Sequence, residues 1–152
     1  MFDKLNLPSF DIITGVSPDG LPTIYDPLRR KHVTATPEEW VRQHFVNYLT
    51  VHLGFPAAFI ANEKGLKLNG MNRRCDTIIY TRDLKPLCIV EYKRPSVEIT
   101  ASVFGQIARY NSVLSAPYLI VSNGIKHHCC KFSNGGYTFL TSIPSYEEMM
   151  QG

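Results

Sequence analysis

The reading of this chain turns on three consecutive pieces: Arg74-Cys75-Asp76-Thr77-Ile78-Ile79-Tyr80-Thr81, the turn Asp83-Leu84-Lys85-Pro86, and Leu87-Cys88-Ile89-Val90-Glu91-Tyr92-Lys93. Both arms are strand-like, and the segment between them has turn composition. They predict an antiparallel hairpin. With Arg82 opposite Leu87, Asp76 falls opposite Lys93 and Ile78 opposite Glu91. Side chains alternate faces along a strand, so Asp76, Glu91 and Lys93 share one face at one corner of a sheet. A slip of one residue would separate them. The second arm is apolar on both faces, which predicts a central strand. Charges at the end of such a strand are costly unless something pairs them.

Working outward, the clearest helix covers about residues 36–53. Thr36, Pro37 and Glu39 form a start signal of hydroxyl cap, first-turn proline and capping glutamate. Val41, Phe45, Tyr48, Leu49 and Leu53 follow at helical spacing, and Gly54 ends the run. At about 100° per residue from Val41, Phe45 lies near 40° and Glu38 near 60°. Glu38 is therefore expected to face the sheet, with Glu39 on the far side as the capping partner. The alternative for Glu38 is a favourable charge near a helix N-terminus.

Residues 58–68 predict a strand with an irregularity near Lys64-Gly65, and Asn69-Gly70 is a turn signal. A second helix is expected from about Thr100 to Leu114. A buried strand follows over 117–122, then two short strands over about 126–132 and 137–140. The first 35 residues are rich in Pro, Gly and Asp. They suggest a small β-hairpin around Ser17-Pro18-Asp19-Gly20. The order is helix, three strands, helix, strand and extra strands, a mixed α/β layer. One domain over 1–152 is expected, with a hairpin extension at 1–35 and a core over about 36–140.

Composition bounds the function classes. The chain has 152 residues, 44% hydrophobic and 19% charged, which is enough for a packed core. No apolar run is long enough to span a bilayer, and a secretion signal is lacking, so a cytoplasmic protein without membrane attachment is expected. Cys75, Cys88, Cys129 and Cys130 form no C-x-x-C pair and read as free thiols. His127-His128-Cys129-Cys130 alternates faces and has no second ligand cluster, which argues against zinc. No G-x-S-x-G nucleophile turn is present. The net charge of +3 is a mild bias. Basic residues cluster as Arg29-Arg30-Lys31 and Arg73-Arg74. The latter pair precedes Asp76 and is a candidate for substrate contact; the alternative is a solvated face.

Two carboxylates and a lysine at one corner have a specific use. Carboxylate oxygens suit magnesium, which takes few protein ligands and keeps water and phosphate oxygens. Such a metal acidifies a bound water and offsets charge on a phosphate under in-line attack. A lysine beside it can orient the water or neutralise the developing charge. The competing reading is a set of ordinary exposed charges. Gln106 and Tyr110, four residues apart, share a helix face that could reach this corner or form an amphipathic rim.

Together these pieces resemble the PD-(D/E)xK nuclease superfamily. The closer likeness is to the N-terminal nuclease domain of type I restriction enzyme R subunits. Thr36-Pro37-Glu38-Glu39-Trp40-Val41-Arg42-Gln43-His44, Leu66-Lys67-Leu68-Asn69-Gly70, Arg74-Cys75-Asp76, Glu91-Tyr92-Lys93-Arg94-Pro95, Gln106 to Asn111 and Pro117 to Gly124 carry it in order and spacing, over about residues 23–135. The resemblance implies a restriction-endonuclease-like αβββαβ core: a central mixed sheet flanked by helices, with N-terminal and C-terminal β additions. It implies metal-binding roles for Asp76 and Glu91, with Mg2+ or Mn2+ as the ion, and a catalytic role for Lys93. Glu38 corresponds to the helix glutamate, with Glu39 the other candidate. Gln106 and Tyr110 match a Q-x-x-x-Y element implicated in ordering the site or contacting DNA. The implied activity is metal-dependent hydrolysis of DNA phosphodiesters. The alternative is a non-catalytic nucleic-acid-binding module or subunit. Cys75 departs from the proline that often precedes the aspartate. No G-x-x-x-x-G-K-[ST] loop is present. DNA is thus the expected partner, together with separate helicase/ATPase or restriction subunits; a homodimer is a further option.

Overall fold

The computed structural model describes residues 4–68, 71–112 and 114–152, with side chains for all of these except 66–68, 71–73 and 112. Nine strands and three α-helices are described in it. A three-stranded antiparallel sheet, β1 (Thr14–Val16), β2 (Pro22–Asp26) and β3 (Lys31–Thr34), precedes α1 (Pro37–Asn47). Six strands then form the main sheet in sequence order: β4 (Ile60–Leu68), β5 (Met71–Tyr80), β6 (Pro86–Tyr92), β7 (Tyr118–Ser122), β8 (His127–Ser133) and β9 (Gly136–Phe139). Helix α2 (Ala101–Ser112) connects β6 to β7, the one parallel pair; the other neighbours are antiparallel. A final helix, α3 (Tyr146–Gln151), closes the chain. The expected mixed sheet with flanking helices is therefore present. The N-terminal hairpin gains a third strand, and α3 was not anticipated. The Asn69-Gly70 turn lies outside the described residues.

The central strands of the main sheet are buried on both faces, while β9 at its edge is exposed, and two core clusters define the layers. Val41, Phe45 and Leu49 from α1, with Tyr146 and Met149 from α3, pack on one face against Ile79, Val90, Tyr92 and Ile120. Phe104 and Ala108 from α2 pack on the other against Ile78, Ile89, Leu119 and Val121. Cys129 and Cys130 enter opposite clusters, as neighbours on a strand must, and all four cysteines are buried free thiols. Thr36 caps α1 by accepting from the Glu39 N–H at 3.0 Å. After α1, a π-helical turn at Tyr48–His52 leads to Gly54, whose φ of +72° ends the helical run.

The β5–β6 register differs from the sequence expectation. Tyr80 pairs with Pro86, the Thr81 N–H donates to the Lys85 carbonyl, and an irregularity between Ile79 and Tyr80 resets the ladder so that Ile78 faces Ile89. The loop is tighter than proposed because the Thr81 hydroxyl accepts from the Lys85 N–H and Leu84 takes a left-handed φ of +64°. The shift is two residues. Because two is even, the shift itself moves no side chain to the other face, although Cys75 and Ile78, three residues apart, enter the same core cluster, so alternation is interrupted around Asp76.

Between the two sheets runs a buried polar chain. Tyr92 Oη donates to Thr77 Oγ1 at 2.9 Å, Thr77 donates to Asn62 Oδ1 at 2.7 Å, and Asn62 donates to Asp26 Oδ2 at 3.1 Å. Asp26, on β2, also accepts from the Leu28 and Arg29 N–H groups and the Arg29 guanidinium. Burial alone would raise its pKa, but these hydrogen bonds outweigh burial and lower it.

Two measurements test this packing. Gly124 has a φ of +85°, and a Cβ there would lie 2.7 Å from Leu5 Cδ2 and 3.1 Å from Val41 Cγ2. Gly124→Ala is expected to cost about 1–3 kcal/mol of stability. An unchanged urea midpoint would contradict that close approach. For Asp26, a folded pKa below the unfolded value of about 3.9 means a contribution present at neutral pH and lost as pH falls through the folded value. Asp26→Asn should thus be less stable than the native protein at neutral pH, with the gap closing in acid. A gap of constant size down to about pH 2 would show that the charge is not its source.

Candidate functional site

The corner expected from the sequence forms where β6 ends beside the middle of β5 and β4, near α1 and α2. The β5–β6 ladder is recorded as far as Thr77 opposite Val90. One residue further along that register, Asp76 stands beside Glu91 rather than Lys93. Here Asp76 Oδ2 accepts from the Tyr92 N–H at 2.9 Å, so a carboxylate takes the place of a strand carbonyl. The β4–β5 ladder also has a gap at this level. Glu63, the residue across from Asp76, has a φ of +56°, one position from the irregularity expected at Lys64-Gly65. A non-glycine residue in that region is strained, and such positions concentrate at functional sites.

Glu91 and Lys93 project to the α2 side. They line a cleft of about 260 Å³ with Arg74, Gln106, Ile107, Tyr110 and Asn111. Gln106 and Tyr110 are exposed at its rim. The sequence-derived group is thus gathered around Glu91, with Asp76 hydrogen-bonded to Glu91 at its edge. The Lys93 N–H donates to the Ser122 carbonyl at 2.9 Å, which ties the end of β6 to β7. Burial, then the Asp76 charge and hydrogen bond, push the Glu91 carboxyl well above the usual carboxylate range. Lys93 and an Asn111 hydrogen bond offset part of this. A larger groove of about 500 Å³, lined by Arg109, Phe132, Tyr137 and the Asn134–Gly136 turn, lies on the other flank of α2 and contains no carboxylate.

Two sequence expectations on α1 are corrected. Glu38 is exposed, whereas Glu39 is buried. Nor does the Glu39 carboxylate return to the cap. It accepts from Arg29 at 2.7 Å, Gln43 at 2.9 Å and Arg42 at 3.4 Å. The helical angles were sound, but the side taken for solvent is covered by the β2–β3 turn, which delivers Arg29. Helix α1 is therefore buried on two flanks. Arg74 is largely exposed and pairs with Glu63 at 2.8 Å; the Arg73 side chain lies outside the described residues.

Arg42, Glu63 and Asn111 were missed by the sequence reading. Arg42 is 4% exposed, with Nη2 2.6 Å from Glu63 and 3.9 Å from Asp76, and it sits over the Tyr92 ring. Burial disfavours its charge, but Glu39 and Glu63 outweigh that and raise its pKa. Asn111 is 1% exposed; its Nδ2 donates to the Ile107 carbonyl at 3.0 Å, and its Oδ1 has no hydrogen-bond partner among the described residues. Arg42 lies at helical spacing from Glu39, a visible signal once Glu39 is known to face inward. Glu63 and Asn111 carried no such signal.

The chain is thus a mixed α/β module whose central strands bring an acid pair and a lysine beside a helix offering Gln106 and Tyr110. Residues 37–144 match the family described as type I restriction enzyme R protein N terminus, and the chain belongs to that family. Among solved structures, it is similar to a fragment described as an HsdR subunit of a type I restriction enzyme from Vibrio vulnificus. The TM-score is 0.58 at 18% sequence identity, over 77% of this chain. This chain spans 25% of that one. No curated protein sequence matches it. Among the described residues, no helix is long and apolar enough to cross a membrane.

The acid pair makes a testable demand on stability. Replacing Glu91 by Gln keeps its shape and removes a buried carboxyl next to Asp76. Without added metal, Glu91→Gln is expected to raise Tm at neutral pH, by an amount equivalent to about 1–2 kcal/mol. A lower Tm would mean that Lys93 and Asn111 already compensate the charge.

Proposed function

We propose that this protein is a metal-dependent deoxyribonuclease that hydrolyses phosphodiester bonds at the Asp76–Glu91–Lys93 corner. The observation that carries this is the contact between the Asp76 and Glu91 carboxyls beside a cleft that also receives Lys93. Among the described residues no three His, Cys, Asp or Glu side chains gather as a metal group. The donor set is a carboxylate pair, which suits Mg2+ or Mn2+, ions that retain water and phosphate oxygens. The raised pKa of Glu91 fits this, since a cation beside the pair would relieve the repulsion that burial imposes.

Asp76 and Glu91 would hold the ion, which lowers the pKa of bound water and offsets phosphate charge. Lys93, on the Glu91 side, would hold the attacking water or the non-bridging oxygen through its ammonium. Gln106 and Tyr110 at the rim, with Arg74 opposite, would orient the DNA backbone; a guanidinium suits phosphate. Membership of the R protein N-terminal family supports DNA as the substrate and other restriction or ATPase subunits as partners. Glu38, in solvent at the start of α1, is assigned no part in the chemistry.

The test is cleavage of plasmid and linear DNA with Mg2+ or Mn2+. Asp76→Ala, Glu91→Ala and Lys93→Ala should each reduce the rate by about 10²-fold or more, while Glu38→Ala should leave it near the native value. Activity retained in the first three variants would reject the site. Salt-dependent DNA binding without cleavage in the native protein would favour a binding module instead.

A further inference from the structure

We propose that the side-chain oxygen of Asn111 is a third ligand at this corner, a neutral donor that meets the metal ion together with Asp76 and Glu91. The inference rests on the metal-dependent reading above. Asn111 lies in the last turn of α2 and lines the same cleft as Glu91 and Lys93. It is 1% exposed, and its amide is hydrogen-bonded to Glu91. Its Nδ2 also donates to the Ile107 carbonyl, one helical turn back, at 3.0 Å. The nitrogen end of the amide is therefore committed. Oδ1, on the same planar group, stands buried beside the Glu91 carboxyl, and no donor among the described residues reaches it.

A buried acceptor left without a donor is costly, and native proteins satisfy nearly all of them. Packing does not explain this one. Phe104 and Ala108 cover the same face of the sheet from α2, and an apolar side chain beside them would leave nothing unsatisfied. Asparagine is also a poor residue for a helix interior. A carbonyl oxygen, by contrast, suits the hard divalent ions that carboxylates hold. Its neutrality fits the corner. Burial and the neighbouring Asp76 already disfavour charge on Glu91, and a third acid would add to that repulsion. An amide adds an oxygen and no charge. This agrees with the finding that no three acids, histidines or cysteines gather here among the described residues.

The experiment titrates DNA-free protein with Mn2+, reading the free ion by electron paramagnetic resonance and stability by melting. It compares native protein with Asn111→Leu, Asn111→Asp and Asp76→Asn. Leucine keeps the shape of the amide and removes its oxygen; aspartate keeps the oxygen. Asn111→Leu should bind Mn2+ more weakly than native protein by about 10-fold or more, with a metal-free Tm no lower. Asn111→Asp should bind Mn2+ at least as tightly as native protein and gain more in Tm on its addition. A merely structural amide would instead lower the metal-free Tm in Asn111→Leu and leave Mn2+ affinity unchanged. That result, or loss of Mn2+ binding in Asn111→Asp, would overturn the inference alone when native protein binds the ion and Asp76→Asn does not. Should Asn111→Leu not fold, Asn111→Asp decides, and a gain in Tm no larger than the native one overturns the inference. No Mn2+ bound by native protein, and no difference from Asp76→Asn, would overturn the metal-dependent reading and this inference with it.

Discussion

Glu39, Glu63, Asp76 and Glu91 are crowded into one corner, and the need to compensate that charge organises the structure around them. Like charges a few ångströms apart and partly removed from water repel strongly, because the surrounding dielectric is low. The compensation comes from three directions. Arg42 reaches from α1, Arg29 from the β2–β3 turn, and Arg74 from β5. Each of these contacts ties another element to the corner. The N-terminal sheet is fastened to α1 through Arg29 and Glu39, and α1 is fastened to the main sheet through Arg42. On the α2 side, burial first and then the neighbouring Asp76 raise the pKa of Glu91, and Lys93 and Asn111 offset only part of that.

The backbone yields at the same level. Glu63 takes a left-handed conformation, and the Asp76 carboxylate replaces a carbonyl in capping the Tyr92 N–H. The β4–β5 ladder skips this one level and resumes at Lys64 opposite Cys75, whereas the β5–β6 ladder stops at Thr77 opposite Val90, beside the acid pair. The buried chain from Tyr92 through Thr77 and Asn62 to Asp26 lies under this opening and satisfies every group along it. A polar network that is fully paired is rigid, whereas a partly paired one is costly. The floor of the site is therefore stiff, while Glu63 beside it holds a left-handed backbone.

Much of this was legible in the residues. The order of strands and helices, the central position of β6, the turn before it and the shared face of Asp76, Glu91 and Lys93 follow from local composition and alternation. The exact partner of Asp76 did not. The proposed register was two residues away from the real one, because the Thr81–Lys85 loop closes more tightly through a side-chain hydrogen bond and a left-handed Leu84. That shift by itself moves no side chain across the sheet, because alternation depends only on parity. The choice between Glu38 and Glu39 did not survive. It required knowing what lies on both flanks of α1, and the wheel assumed solvent on the flank where Arg29 stands.

What the sequence determined alone was therefore local: which segments are strands and helices, which side of a strand each acid occupies, and which family the ordered motifs belong to. These are set by period and composition within a few residues. Only the tertiary structure decided which α1 glutamate turns inward, that Glu63 joins the corner, and that Arg42 supplies its positive charge. Those depend on segments as far apart as Arg29 and Asp76 converging, and electrostatic partnership between distant residues leaves no periodic trace along the chain.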